Sequence, residues 1–155
     1  MSTPYWTPLA GPPGPAGPPG PALGSIAGLH SVATPAGGGY VAIPITSTRW
    51  ADWAGVLAGG YVVNGAGRYR FTAHAWWTGQ TGTVVPSLIA VSHFNSGGGV
   101  ASPNVVTAVA ALNAGGGLAN LYNCLAGDYF TVYAASNAGG AGGTCSCEGA
   151  LEKLT

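Results

Sequence analysis

The chain has 155 residues, of which 4 are Lys or Arg and 4 are Asp or Glu, so its formal net charge is zero and only 5% of it is charged, against roughly 25% in a typical soluble domain. This length suits one domain with a short appendage. Balanced charge removes the electrostatic basis for binding nucleic acid, and a 47% hydrophobic content with five Trp and seven Tyr excludes wholesale disorder.

The charges are also unevenly placed: none precedes Arg49 and none falls between Phe71 and Gly127. No run of about 18 consecutive apolar residues occurs, so membrane insertion is not expected. Burial of much of the surface against other copies is the remaining account of so few charges.

Residues 1–10 have neither a basic start nor an apolar core and do not read as a secretory signal. Tyr5, Trp6 and Leu9 lie between and beside Pro4 and Pro8. They read as an uncharged anchor arm that docks onto another protein, or as a disordered terminus. Gly11, Gly14, Gly17 and Gly20 then open four consecutive Gly-X-Y triplets with Pro at every X. Collagen needs this period because only Gly fits at the crowded three-chain axis, and Pro pre-sets the polyproline conformation. The stalk is assigned to residues 11–24. Its four triplets span roughly 37 Å at about 3.1 Å per residue. So short a segment needs a neighbouring domain that already holds three chains together. Residues 25–39 read as a linker.

From Tyr40 onward the pattern has period two in short runs bounded by Gly, Asn, Ser and Pro. The runs are Tyr40–Ile45, Gly67–Trp77, Val84–Phe94, Val105–Leu112, Leu118–Cys124, Tyr129–Ala135 and Thr144–Leu154. Alternation sets Tyr69, Phe71, Ala73 and Ala75 on one face, with Arg68, Arg70, Thr72 and His74 on the other. Phe130, Val132 and Ala134 likewise oppose Tyr129, Thr131 and Tyr133. Gly97–Gly99, Gly115–Gly117 and Ala138–Gly143 read as loops. The fold class is all-β, a sandwich or jelly roll over residues 40–155.

Three motifs follow in order. The first, from Gly59 to His74, is an apolar strand running through a glycine turn into Gly67-Arg68-Tyr69-Arg70-Phe71. The second is Leu121-Tyr122-Asn123-Cys124-Leu125-Ala126-Gly127-Asp128-Tyr129, and the third is Cys147-Glu148-Gly149-Ala150-Leu151. Together they resemble the tumour-necrosis-factor/complement-q globular heads, in which a collagen segment before the head recurs. The resemblance implies a ten-stranded jelly roll and a homotrimer, with Tyr69, Phe71, Gly127, Asp128 and Gly149 as structural motif residues. Such a trimer supplies the three-chain nucleus the stalk requires. Only Asp128 holds a family-like acidic position. Its expected role is to cap a tight turn, and no calcium site is carried over.

Trp50, Trp53, Trp76 and Trp77 are the notable aromatic group, with Asp52 nearby. Aromatic faces beside polar groups suit sugars, so Trp50, Asp52, Trp53 and Trp76 are candidate contacts to a host cell-wall glycan. The alternative is that the Trp side chains fill the core or the trimer interface. Trp76 and Trp77 must point to opposite faces. Cys145-Ser146-Cys147 with Cys124 lacks a fourth metal ligand, and buried reduced thiols are expected. Nucleophile-elbow, phosphate-loop and His-Glu-x-x-His motifs are missing. No metal, cofactor or catalytic residue is therefore assigned, and enzymatic activity is not expected.

A charge-poor collagen stub with a jelly-roll head looks like a bacteriophage virion protein. The leading expectation is a trimeric tail-tip or tail-fibre component with a role in host adhesion, bound to other virion proteins through its arm. A capsid decoration protein at three-fold positions and a bacterial collagen-like surface protein are the alternatives.

Overall fold

The computed structural model describes residues 25–51, 56–57 and 60–155. The anchor arm and the Gly-X-Y stalk, with Tyr5, Trp6, Leu9, Gly11, Gly14, Gly17 and Gly20, lie outside the described residues, as do Asp52 and Trp53. Eleven strands occur among the described residues: β1 (Ser25–Ala33), β2 (Val41–Ala42), β3 (Ile45–Ala51), β4 (Val56–Leu57), β5 (Gly60–Val62), β6 (Gly67–Thr78), β7 (Ser87–Phe94), β8 (Val100–Val109), β9 (Gly115–Cys124), β10 (Tyr129–Ala135) and β11 (Thr144–Lys153). No described helix is long and apolar enough to cross a membrane.

The strands form two antiparallel sheets. The first has the order β3-β1-β11-β6-β9, the second β4-β5-β10-β7-β8, with β2 also paired to β10. β6 shows how the sequence sets this up. Tyr69, Phe71, Ala73, Ala75 and Trp77 are buried, while Arg68, Arg70, His74 and Thr78 are exposed. Facing them from the second sheet, Phe130 stacks on Phe71 with ring centroids 5.3 Å apart, and Tyr61 meets Phe71 edge-on at 5.2 Å. These rings and the inward aliphatics of β7 and β10 fill the space between the sheets, and their burial is the main favourable term in folding.

Two expectations are corrected by the strand pairing. Residues 25–33, expected within a linker, form β1, which runs antiparallel to both β11 and β3 inside the first sheet. Its signal is weak because small residues interrupt the alternation. Gly115–Gly117, expected as a loop, begin β9 and pair with Trp76, Ala75 and His74 of β6. Glycine carries no strand preference of its own. Here the close approach of β6 and Val109 decides, since a Cβ on Gly116 would lie 2.7 Å from the Val109 Cγ2. β8 also starts earlier than its apolar run, at Val100. It is an edge strand in the sheet order. Pro103 is accommodated because the register against β7 shifts between the Val91↔Val105 and His93↔Ser102 pairs, a bulge of the kind that tolerates proline on an edge.

A buried polar latch ties the ends of these strands together. The Gln80 Nε2 donates to Ser87 Oγ and Ser136 Oγ, both at 2.8 Å. The Gln80 backbone N–H donates to Asn113 Oδ1 at 2.8 Å, and the Asn113 N–H returns a bond to Gln80 Oε1 at 3.0 Å. Asn113 holds φ 51, a left-handed conformation that asparagine tolerates better than most residues. Gln80→Ala leaves buried hydroxyls and an amide without partners. It is expected to lower stability by about 2 kcal/mol, read as a shift in the midpoint of urea unfolding with an unchanged slope.

Candidate interaction faces

The first sheet turns a mixed face outward. β6 presents Arg68, Arg70, His74 and the half-buried Trp76, β9 presents Leu121 and Asn123, and β11 presents Ser146, Glu148 and Glu152. Arg70 and Glu152, opposite each other in the β6–β11 register, form an exposed ion pair, a kind worth little in water. His74 and Trp76 lie side by side with ring centroids 5.8 Å apart, beside the side-chain-free Gly115 and Gly117 of β9.

The second sheet is more apolar. Its outer face holds Tyr40 and Tyr133, the stacked Phe94–Tyr129 pair at 5.0 Å, and Val100 and Val106 of β8. Tyr40 is 51%, Val100 65% and Val106 49% exposed, more than scattered surface apolars explain when they lie in one patch. Tyr40, Phe94, Val100, Asn104, Val106 and Tyr133 line a cleft of about 360 Å³ there. Around the adjoining edge, Leu121 of β9 is 45% exposed. β8 and β9 are the edge strands of the two sheets, and Val100, Val106 and Leu121 are exposed along them among the polar side chains of Asn104, Asn120 and Asn123.

The motif residues singled out from sequence sit in the core or at turns. Tyr69 and Phe71 are fully buried. The Tyr69 hydroxyl lies 2.8 Å from the Gly65 carbonyl and 3.0 Å from Asn64 Oδ1, closing the turn into β6. Gly127 has φ 85, a region that favours glycine. Asp128 caps this turn as expected, its Oδ2 accepting the Leu125 N–H at 2.9 Å. Gly149 gives space to Tyr61, whose hydroxyl donates to the Gly149 carbonyl at 3.0 Å.

Of the glycan candidates, Trp76 is on the outer face; its neighbour Trp77, 1% exposed, is in the core, the opposition that alternation requires. Trp50 falls in β3 opposite Ala27. Sequence reading did not single out Tyr40, Phe94, Val100, Val106 or Tyr133. Alternation shows that a residue points away from the core, and only the pairing of β8 with β7, of β7 with β10, and of β2 after Tyr40 with β10 shows that these five meet. Cys124, Cys145 and Cys147 are free and buried. Burial pushes each thiol up to about 12, so none is a nucleophile at neutral pH.

This pair of antiparallel sheets, with a Gly-Asp turn before β10 and a tyrosine seated on a glycine of β11, is a jelly-roll fold. No family model matches the chain, and no curated protein matches its sequence. Solved structures with this fold include the PRD1 vertex protein P5, 17% identical with a TM-score of 0.57 over 88% of this chain and 100% of that one. The globular domain of zebrafish complement 1qA is 12% identical with a TM-score of 0.57, covering 86% and 98% of the two chains. Murine APRIL is 11% identical with a TM-score of 0.54, covering 86% and 100%. At these identities the likeness establishes the fold.

Proposed function

We propose that the protein is a homotrimeric structural component of a phage virion, in which residues 1–10 attach to the particle, the Gly-X-Y stalk winds as a triple helix and the jelly-roll head projects outward for host-surface adhesion. The role is one of assembly and binding, without catalysis. The observation that carries the reading is the exposure of Val100, Val106 and Leu121 along the edge strands β8 and β9 on a chain that is 5% charged. Covering those edges with the first-sheet face of the next copy closes a three-fold ring, and the Gly-X-Y period needs three chains in register. The tail tip or tail fibre is the favoured post. The likeness to the PRD1 vertex protein supports a second position, at the capsid surface.

Sedimentation equilibrium at low salt tests the assembly. The expected mass is three times the 15.2 kDa of one chain. A V106D/L121D double variant, which buries two unpaired carboxylates at the interface, is expected to sediment as a monomer. A monomeric wild type overturns the proposal. Binding of the isolated trimer to host cell walls supports the tail position, whereas hundreds of copies per particle with raised heat resistance of the shell favours the capsid surface.

A further inference from the structure

We infer that His93, Cys124 and Asp128 form a zinc-binding site in each head. Sequence groups Cys124 with Cys145 and Cys147. The fold instead sets it at the end of β9 beside His93 of β7 and Asp128 of the turn into β10. All three residues are buried, and one ligand atom from each lies within 4.8 Å of the other two. The His93 Nε2 and the Asp128 Oδ2 are 3.1 Å apart. Two donors on a tetrahedral zinc ion, each bound at about 2.0–2.2 Å, stand little more than 3 Å from each other, so this pair is already at ligation distance and the thiol needs a shift of about 1 Å. Cys124 and Asp128 are fixed by one tight turn, while His93 arrives from the facing strand pair. Two donors close in sequence and one distant donor make a site that exists only in the folded chain.

The surroundings fit a ligand set. The other imidazole nitrogen, Nδ1, is 3.1 Å from the Ser102 Oγ. This bond holds the ring so that Nε2 faces the carboxylate, the outer partner that ligating histidines ordinarily have. The bulge at Pro103 puts Ser102 opposite His93 in the register. Phe130 stacks on the imidazole at 4.7 Å and Tyr122 packs edge-on at 5.4 Å, fixing its plane. A cleft of about 400 Å³, lined by His93, Ser102, Asn104, Asn120, Tyr122 and Asn123 among others, opens on the imidazole side of the cluster. Thiolate plus imidazole with a single carboxylate selects zinc over calcium or magnesium, which require many oxygens. The thiol passes its proton to solvent on ligation.

The test uses the full chain, reduced and stripped of metal with a chelator. Titration with Co²⁺ alone is expected to raise a near-ultraviolet thiolate-to-cobalt charge-transfer band that saturates at one ion per chain and is displaced by Zn²⁺. Zn²⁺ alone is expected to raise the melting temperature. Cys124→Ala is expected to abolish the band while its metal-free melting curve stays cooperative. Ser102→Ala, which leaves all three ligands, is expected to weaken Zn²⁺ binding by about 10- to 100-fold. A wild type with neither band nor thermal shift overturns the inference. So does a band that survives Cys124→Ala, which assigns the metal to Cys145 and Cys147, and so does a stoichiometry of one ion per three chains, which places it on a symmetry axis.

Discussion

Gly149→Val is expected to lower stability by at least about 3 kcal/mol, near the upper end of what overpacking a core costs. The reason is local and geometric. Gly149 of β11 pairs with Gly28 of β1, and the Tyr61 ring from the opposite sheet stands on this pair, its hydroxyl 3.0 Å from the Gly149 carbonyl and 3.4 Å from that of Gly28. A Cβ added at Gly149 would lie 2.6 Å from the Tyr61 oxygen and 3.1 Å from its ring carbon. The ring cannot withdraw, because Tyr61 is fully buried and its edge is held against Phe71. The valine must push the two sheets apart or expel the ring. Tyr61→Phe is the control: it removes the hydroxyl, keeps the packing, and should cost only about 1 kcal/mol. Urea unfolding followed by tryptophan fluorescence, at one fixed chain concentration because assembly shifts apparent stability, separates the two. Equal losses in both variants would mean that the hydrogen bond, and not the space, makes glycine necessary.

Alkaline pH is expected to unfold the head well before its backbone chemistry would require it. Burial holds the Cys145 and Cys147 thiols up to about 12, from an ordinary value of 9.0. The unfolded chain therefore releases these two protons above about pH 9 while the folded chain keeps them. The stabilisation is complete below pH 9 and is lost as pH rises from 9 toward 12. Each group contributes about 1.4 kcal/mol per pH unit in that window, so the pair removes about 3 kcal/mol by pH 10. Tyr61, whose phenol burial raises far above its usual 10.0, adds to the fall above pH 10. Unfolding midpoints measured from pH 8 to pH 10.5 are expected to drop steeply, and a C145A/C147A variant is expected to show a shallower drop from a lower starting stability. A flat profile in the wild type would show that the thiols are open to solvent.

Both results bear on the proposed role. In the virion role proposed above, burial keeps the cysteines at alternate positions of β11 inside the core, where they form no disulfide. The same closure leaves the outer faces free to differ. One carries the His74–Trp76 pair and the few charges, the other the tyrosine and valine cleft.

The sequence by itself determined the Gly-X-Y period, the all-β class, and the in-and-out placement of β6, β10 and β11, because each of these is written at spacings of two or three residues along one stretch of chain. It also placed Gly127, Asp128 and Gly149 as structural points, through the order of three motifs. Only the tertiary structure decided that residues 25–33 complete the first sheet, that Gly115–Gly117 are strand, and that His93, Cys124 and Asp128 converge. Strand pairing joins segments far apart in the chain, and the space left by a neighbour such as Val109 or Tyr61 overrides what a glycine-rich stretch would do alone. A ligand set drawn from β7, β9 and the turn before β10 has no spacing to read, since its members become neighbours only when two sheets close on each other.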